Sequence, residues 1–295
     1  MKPNWASIFG NVDLSANEIA LVSTLPPLHP AAIPRALVRS NIQFEQGTIA
    51  LEVKLPDPDA RCQIGLSIDR GGELFAGINN LGALYGFAIS RDNQWKPLAG
   101  AGYGASLESE RWYKLTLTVK GSVLELYLDG VRVASAIQQI MKGPISILLE
   151  SSGNVIVRNV SVDSRPAECF IVMQFTDEYN ALYREVIRPT CEAFGYKVVR
   201  GDDTYTSGLI INDITQSIQE ASIVIADITP NNPNVFYEVG YAHGMGKTTI
   251  LLSDKKRERL PFDVSGFRTL FYDNTIAGKG EVEARLKRHL EGIAA

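Results

Sequence analysis

The sequence predicts two domains: an all-β antiparallel sandwich, then an α/β doubly wound domain on a five-stranded parallel sheet. Three observations predict this. The chain has 295 residues, enough for two separate cores. Up to about Asp163, short apolar runs, many with two-residue alternation, are separated by Gly, Asp-Pro or Asn-rich turns. From Glu168 onward, apolar runs alternate with segments of helical period, and Arg165-Pro166 stands between the two regimes as a linker. The domains are therefore expected at residues 1–163 and 168–295.

In the first domain the predicted strands are "GTIALEVKLP", "QIGLSIDRG", "LFAGINNLGALYGFAIS", "WYKLTLTVKGSVLELYLDGVRVASA", "GPISILLES" and "NVIVRNVSV". Leu115, Leu117 and Val119 share one face; Lys-Gly-Ser turns the chain, and Leu124, Leu126 and Leu128 continue the pattern. Asp129-Gly130 is a strong signal for a second hairpin turn. This half resembles the concanavalin A-like (laminin-G-like) jelly rolls over residues 35–163. Their segment of a Trp-containing strand, a hairpin and "L-x-L-Y-x-D-G" is matched by Trp112 through "LELYLDGVRV". The resemblance implies a sensor, oligomerisation or partner module with a protein or glycan ligand. The sequence offers no carboxylate cluster that would place a metal or a glycosidase pair. For Trp95 and the "GAGYGA" loop (residues 100–105) two readings stand, a ligand platform and a plain hairpin connection.

In the second domain, "CFIVMQF" reads as a buried strand and "DEYNALYREVIRPTCEAFG" as a helix with Leu182, Val186 and Ile187 on its apolar face and a bend at Pro189. "YKVVRGD" is a strand, "GLIINDITQSIQEA" an amphipathic helix and "SIVIADIT" the most apolar, central strand. "NVFYEVGYAHGMG" is helical, "TTILLSD" and "TLFYDN" are strands, and "KGEVEARLKRHLEGI" closes the domain. The alternation predicts a sheet of flavodoxin-like order. Gly240 is expected to let its helix approach the sheet closely, and Gly246 to end that helix.

Such sheets bind ligands at the carboxyl ends of their strands. The first tip offers Phe175 and Thr176; the second offers Asp203 and Ser207. The third offers Asp227, Asn231, Asn232 and Asn234, with Tyr237 and Glu238 just beyond. These are expected around one crevice. With Asn234 as the helix cap, Glu238 lies one turn in, where the helix field favours its ionised form. A carboxylate there can stabilise or attack a sugar C1 during glycoside cleavage. An acidic residue in a first turn also occurs simply because it suits the dipole. Asp227 is either an orienting carboxylate or a loop cap, and Tyr237 either stacks on a base or packs in the core. His243, five residues past Glu238, is about 140° round the helix from it and reads as a helix-end polar residue.

"IADITPNNPNVFYEVGYAHGMGKTTILL", preceded by "GLIINDITQSIQEA", resembles the nucleoside 2-deoxyribosyltransferase-like and TIR-like domains of bacterial proteins, over Glu168 to Asn274. The resemblance implies that Glu238 stands where the transferases carry their nucleophilic glutamate in "E-L-G-Y-A", and where TIR enzymes that cleave NAD carry their essential acid. The transferases also have an aspartate shortly before that glutamate, and this loop has only Asn231, Asn232 and Asn234. The resemblance therefore implies cleavage of the N-glycosidic bond of NAD or a related nucleotide, a hydrolase in antiphage defence, working as a homo-oligomer, with NAD as substrate and no cofactor. Nucleoside 2-deoxyribosyl transfer, a non-catalytic nucleotide-binding signalling module and a glycan- or protein-recognition protein remain as alternatives.

"GMGKTT" is not a P-loop, because Tyr241 occupies the place of the first Walker glycine and the segment runs from helix into strand. The basic run Lys255 to Arg259 either closes over the crevice to meet phosphates or forms a solvated loop. A net charge of −4 argues against sequence-independent nucleic-acid binding. The three separated cysteines suit a reducing compartment rather than a disulfide framework or zinc site. There is no signal-peptide-like start and no apolar run long enough for a membrane span, so a cytoplasmic protein is expected.

Overall fold

The computed structural model describes residues 3–15, 17–22, 33–203, 209–257 and 259–294. The chain divides into two compact units, Met1–Val119 with Val123–Arg165, and Lys120–Ser122 with Pro166–Ala295.

The first unit is a β-sandwich of two seven-stranded antiparallel sheets. Its strands are β1 (Trp5–Phe9), β2 (Val12–Leu14), β3 (Glu18–Leu21), β4 (Arg35–Phe44), β5 (Gly47–Lys54), β6 (Arg61–Ser67) and β7 (Glu73–Asn80). They continue as β8 (Ala83–Arg91), β9 (Gln94–Ala101), β10 (Trp112–Lys120), β11 (Val123–Leu128), β12 (Val131–Ile137), β13 (Gly143–Glu150) and β14 (Ile156–Ser164). One sheet has the order β1-β4-β13-β6-β7-β8-β9, the other β12-β11-β10-β5-β14-β3-β2.

Alternation sets which residues reach the core. Ile49, Leu51 and Val53 of β5 are buried, as are Leu115, Leu117 and Val119 beside them on β10, and Leu124 and Leu126 on β11. Ile64, Leu66, Leu74 and Ile147 join the same core from the other sheet. The Asp129-Gly130 hairpin has the expected conformation: both residues have positive φ (48° and 83°), and Leu128 pairs directly with Val131. Five strands were not legible in the sequence pattern, β1 to β4 and β9. In β1 and β9 most residues are exposed, so little apolar alternation marks them. The segment holding Trp95 is therefore a paired strand, and the Trp95 ring packs against Phe75 at 4.9 Å.

The second unit is an α/β doubly wound domain. Its strands are β15 (Glu168–Val172), β16 (Lys197–Arg200), β17 (Ile223–Asp227), β18 (Thr248–Asp254) and β19 (Thr269–Tyr272). Their order, β16-β15-β17-β18-β19, is the flavodoxin-like one, and all four pairings are parallel. The helices are α1 (Asp177–Leu182), α2 (Arg188–Ala193), α3 (Ile210–Glu220), α4 (Pro233–Gly244), the short α5 (Phe262–Ser265) and α6 (Ile276–Ala294).

Every residue of β17 is buried, because helices cover both faces. Ile223 and Ile225 pack with Val186 and Ile187 and with Val282 and Leu286 of α6. Val224 and Ala226 pack on the opposite face with Ile218 of α3 and with Val235 and Val239 of α4. Between α1 and α2 the helix widens into π-type turns over Tyr183–Ile187. This is where the expected bend is absorbed: Pro189 has no N–H to return to the preceding turn, and the wider turns accommodate the loss.

The expectation for Gly240 is corrected. It is exposed, and a Cβ built there meets nothing within 4 Å, so no close helix-on-sheet approach requires it. Gly240→Ala is accordingly expected to stabilise the domain by about 0.4–1 kcal/mol through helix propensity, read as a higher urea midpoint. Gly246, at φ 66°, follows the end of α4 in the left-handed region that glycine favours.

Candidate functional site

The strand-to-helix connection after β17 builds one wall of the site. Asn232 caps α4: its Oδ1 accepts the Asn234 N–H at 3.0 Å, and Pro233 is the first helical residue. This corrects the expectation that Asn234 is the cap. Asn234 lies inside the helix, and Glu238 is the sixth helical residue, in the second turn. Asn234 and Glu238 are four apart and share a face. Together with Asn232 and Tyr237 they line a cavity of about 610 Å³. The tip of β15 supplies Met173, Gln174 and Phe175, and Gly201 follows β16. Helix α3 adds Ile210, Ile211 and Ile214.

Burial pushes the Glu238 carboxyl up to about 7. The sequence-based expectation was the reverse, that the helix field would favour the ionised form. Two facts explain the difference: the residue sits beyond the first turn, where that field fades, and the cavity around it is walled by apolar side chains from β15 with its tip and from α3. A carboxyl poised near neutrality can act both as an acid and as a base or nucleophile at working pH.

The Phe175 wall is held from behind. The Arg200 guanidinium lies 5.1 Å from the Phe175 ring centroid and 4.2 Å from that of Tyr183. Its Nε and Nη2 each donate to Asp202 at 2.5 Å, and Nη1 donates to Asn180 Oδ1 at 2.7 Å.

Other expected members of the crevice lie elsewhere. Asp227 is fully buried behind the loop: Oδ1 accepts the Thr229 N–H at 2.8 Å and Oδ2 accepts the Tyr272 hydroxyl at 2.6 Å. It does not line the cavity. Burial raises its pKa, opposed by those hydrogen bonds. Thr176 precedes α1 without a side-chain cap bond, and Asn231 faces Arg257, whose Nη2 lies 3.5 Å from its Oδ1. Neither lines the cavity. Ser207 and the side chain of Asp203 lie outside the described residues.

The basic run also has a structural job. Arg257 Nη1 donates to the carbonyls of Ile228 and Thr229, the latter at 2.9 Å, and its guanidinium lies 5.5 Å from the Phe236 ring centroid. It braces the loop that carries Asn232 into place. Arg257→Ala is expected to cost about 1–2 kcal/mol and to speed hydrogen exchange in residues 228–234, measurable by mass spectrometry. Lys255 pairs with Asp273 at 2.5 Å. Lys247, the lysine of "GMGKTT", is buried and donates to the Gln219 and Ala221 carbonyls at 2.6 Å, closing the end of α3. His243 stacks on Phe267 with centroids 4.0 Å apart.

The contribution of α3 was missed in the sequence, although a signal was present. Ile210, Ile214 and Ile218 form a stripe four residues apart. Ile218 is buried against the sheet, while Ile210 is 74% exposed and extends the stripe into the cavity.

No protein family matches this chain, and no curated protein sequence does. Among solved structures, the sandwich is similar to a carbohydrate-binding module from Bacillus subtilis. The TM-score is 0.44 at 14% identity, over 53% of this chain and 92% of that one. A β-1,3-1,4-glucanase derived from a mouse hindgut metagenome has a TM-score of 0.38 at 13% identity, over 53% of this chain and 90% of the other. The TIR domain of a Toll-related receptor from Hydra magnipapillata has a TM-score of 0.34 at 15% identity, over 42% of this chain and 97% of its own. No helix among the described residues is long and apolar enough to cross a membrane. The described residues hold no group of three or more His, Cys, Asp or Glu able to bind a metal.

Proposed function

We propose that the α/β domain is a TIR-like N-glycosidase acting on NAD or a related nucleotide, serving antiphage defence, with the sandwich as its sensor, oligomerisation or partner module. The observation that carries this reading is Glu238, a carboxyl raised to about 7 in a cavity of about 610 Å³ beside two asparagine amides. The volume falls in the range of small-molecule sites, about 300–1,000 Å³.

In the proposed reaction the bond between C1′ of the ribose and the base nitrogen breaks, and its electron pair leaves with the base. The Glu238 carboxylate stabilises or captures the electron-poor C1′. Water then adds its oxygen to C1′ and releases a proton, so NAD and water give nicotinamide, ADP-ribose and a proton. Asn232 and Asn234 offer amides to ribose hydroxyls, and the Phe175 and Tyr237 rings offer faces to the base.

The test is incubation of the purified protein at pH 8 with NAD, and separately with nucleosides, with released base measured by chromatography. Nicotinamide release supports the reading. Base release from neither substrate class, at dilute and at high protein concentration, removes it.

A further inference from the structure

We infer that the cavity seats a cationic nucleoside end of its ligand and excludes phosphate. This rests on the N-glycosidase reading for the identity of the bond cleaved; the charge argument comes from the cavity itself.

Among the described residues that line the cavity there is no Lys or Arg, and the only carboxyl is Glu238. Arg200 ends β16 just before Gly201, and Arg257 in the loop after β18 braces the loop before α4; both are engaged. Arg200 is bound by both Asp202 oxygens and by Asn180, and Arg257 by the loop carbonyls.

The start of α4 offers little to an anion. Helix N-termini hold phosphates through free backbone N–H groups. Here the first helical residue is Pro233, which has none, and the Asn234 N–H is already taken by Asn232 Oδ1. A phosphate inside would meet the Glu238 carboxylate with no cation to offset it.

A cationic ring has the opposite fit. A pyridinium, or an N-alkylated purinium, carries its positive charge next to the C1′ bond, where Glu238 can pair with it. The Tyr237 ring, 55% exposed, adds a face of the kind that attracts cations. Such a ring is also a good leaving group, because it departs neutral. The same cavity therefore selects for the charge that makes its ligand cleavable.

The experiment titrates the full chain with carbocyclic analogues, which lack the cleavable C1′–N acetal linkage: carbocyclic nicotinamide riboside, its 5′-monophosphate and carbocyclic NAD. Each is measured at 50 and 500 mM salt. The expected result is three dissociation constants within about threefold of one another and little changed by salt, because no phosphate neutralisation contributes. A neutral analogue with the ring reduced to the dihydropyridine should bind about tenfold or more weakly, as should the cationic riboside to Glu238→Gln. Binding that tightens tenfold or more with each added phosphate, with the gain lost at high salt, overturns the inference. So does failure of all three cationic analogues to bind. Base release from NAD is scored separately. Release together with phosphate-dependent binding sinks only the charge selection; phosphate-independent binding without release sinks only the N-glycosidase reading.

Discussion

Glu238→Gln is expected to slow base release by roughly 10³-fold or more while the fold is retained. Glutamine keeps the shape and removes the group that answers charge at C1′. The pH profile carries the same expectation. If the ionised form of Glu238 acts on C1′, kcat/KM should fall about tenfold per unit of pH below about 7 and level off above it. A wild-type profile flat from pH 5 to 8 would remove Glu238 from that role.

The substitution should also change stability, with a sign fixed by linkage. Unfolded, a glutamate titrates at about 4.3; folded, Glu238 is raised to about 7. Its contribution to stability is fully present below about pH 4 and is lost as the pH climbs to about 7. Allowing for partial solvent access, the loss is about 1–2 kcal/mol. Glu238→Gln should therefore be more stable than the wild type at pH 8 and equal to it at pH 4, by urea unfolding at the two values. A site that reduces stability at working pH is a common cost of function.

Asp227→Ala is expected to destabilise the α/β domain by about 2 kcal/mol, because it leaves a part-buried N–H without its acceptor and takes one of two partners from a buried hydroxyl. The Thr229 N–H loses its acceptor, and the Tyr272 hydroxyl is left with Thr229 Oγ1 at 3.2 Å. Asp227→Asn keeps an acceptor for Thr229 and should retain both most of the stability and base release close to wild type. The sign of its pH dependence follows from burial. Unfolded, Asp227 titrates at about 3.9; folded, it is raised. Its stabilising contribution is complete below about pH 4 and declines as the pH rises through the folded value. Asp227→Asn removes that decline, so the difference between variant and wild type should move in the variant's favour from pH 4 to 7. An Asp227→Asn protein that folds normally yet releases no base would restore Asp227 to the chemistry.

The parts of this architecture visible in the sequence are those written in local pattern. The sheet order of the second domain follows from strand–helix alternation, and the β11–β12 hairpin from Asp129-Gly130. Pro233 is a legible signal of the same kind: proline favours the first helical position, which makes Asn232 the cap. The raised carboxyl of Glu238 was not legible, because the walls that bury it come from β15 and α3, tens of residues earlier in the chain. Asp227 shows the same limit, since its partner Tyr272 lies 45 residues away. Spacing alone put Asp227 at the right strand tip and could not tell which way its oxygens point.

The position of β15 at the interior of its sheet has a consequence for biosynthesis. It is the first strand of the domain to emerge, and its two neighbours arrive from opposite sides at different times. β16 pairs with it through Glu168–Ile171 soon after, and β17 pairs along Cys169–Val172 only when residues 223–226 have been made. In that interval the nascent chain carries an apolar strand with an open edge, the kind of surface that recruits wrong partners. The buried Phe170 and Val172 side chains also lack the α4 residues that later cover their side of the sheet. Translation through α3 is thus the window in which this domain depends most on its surroundings; β17 closes the open edge and α4 then covers the face.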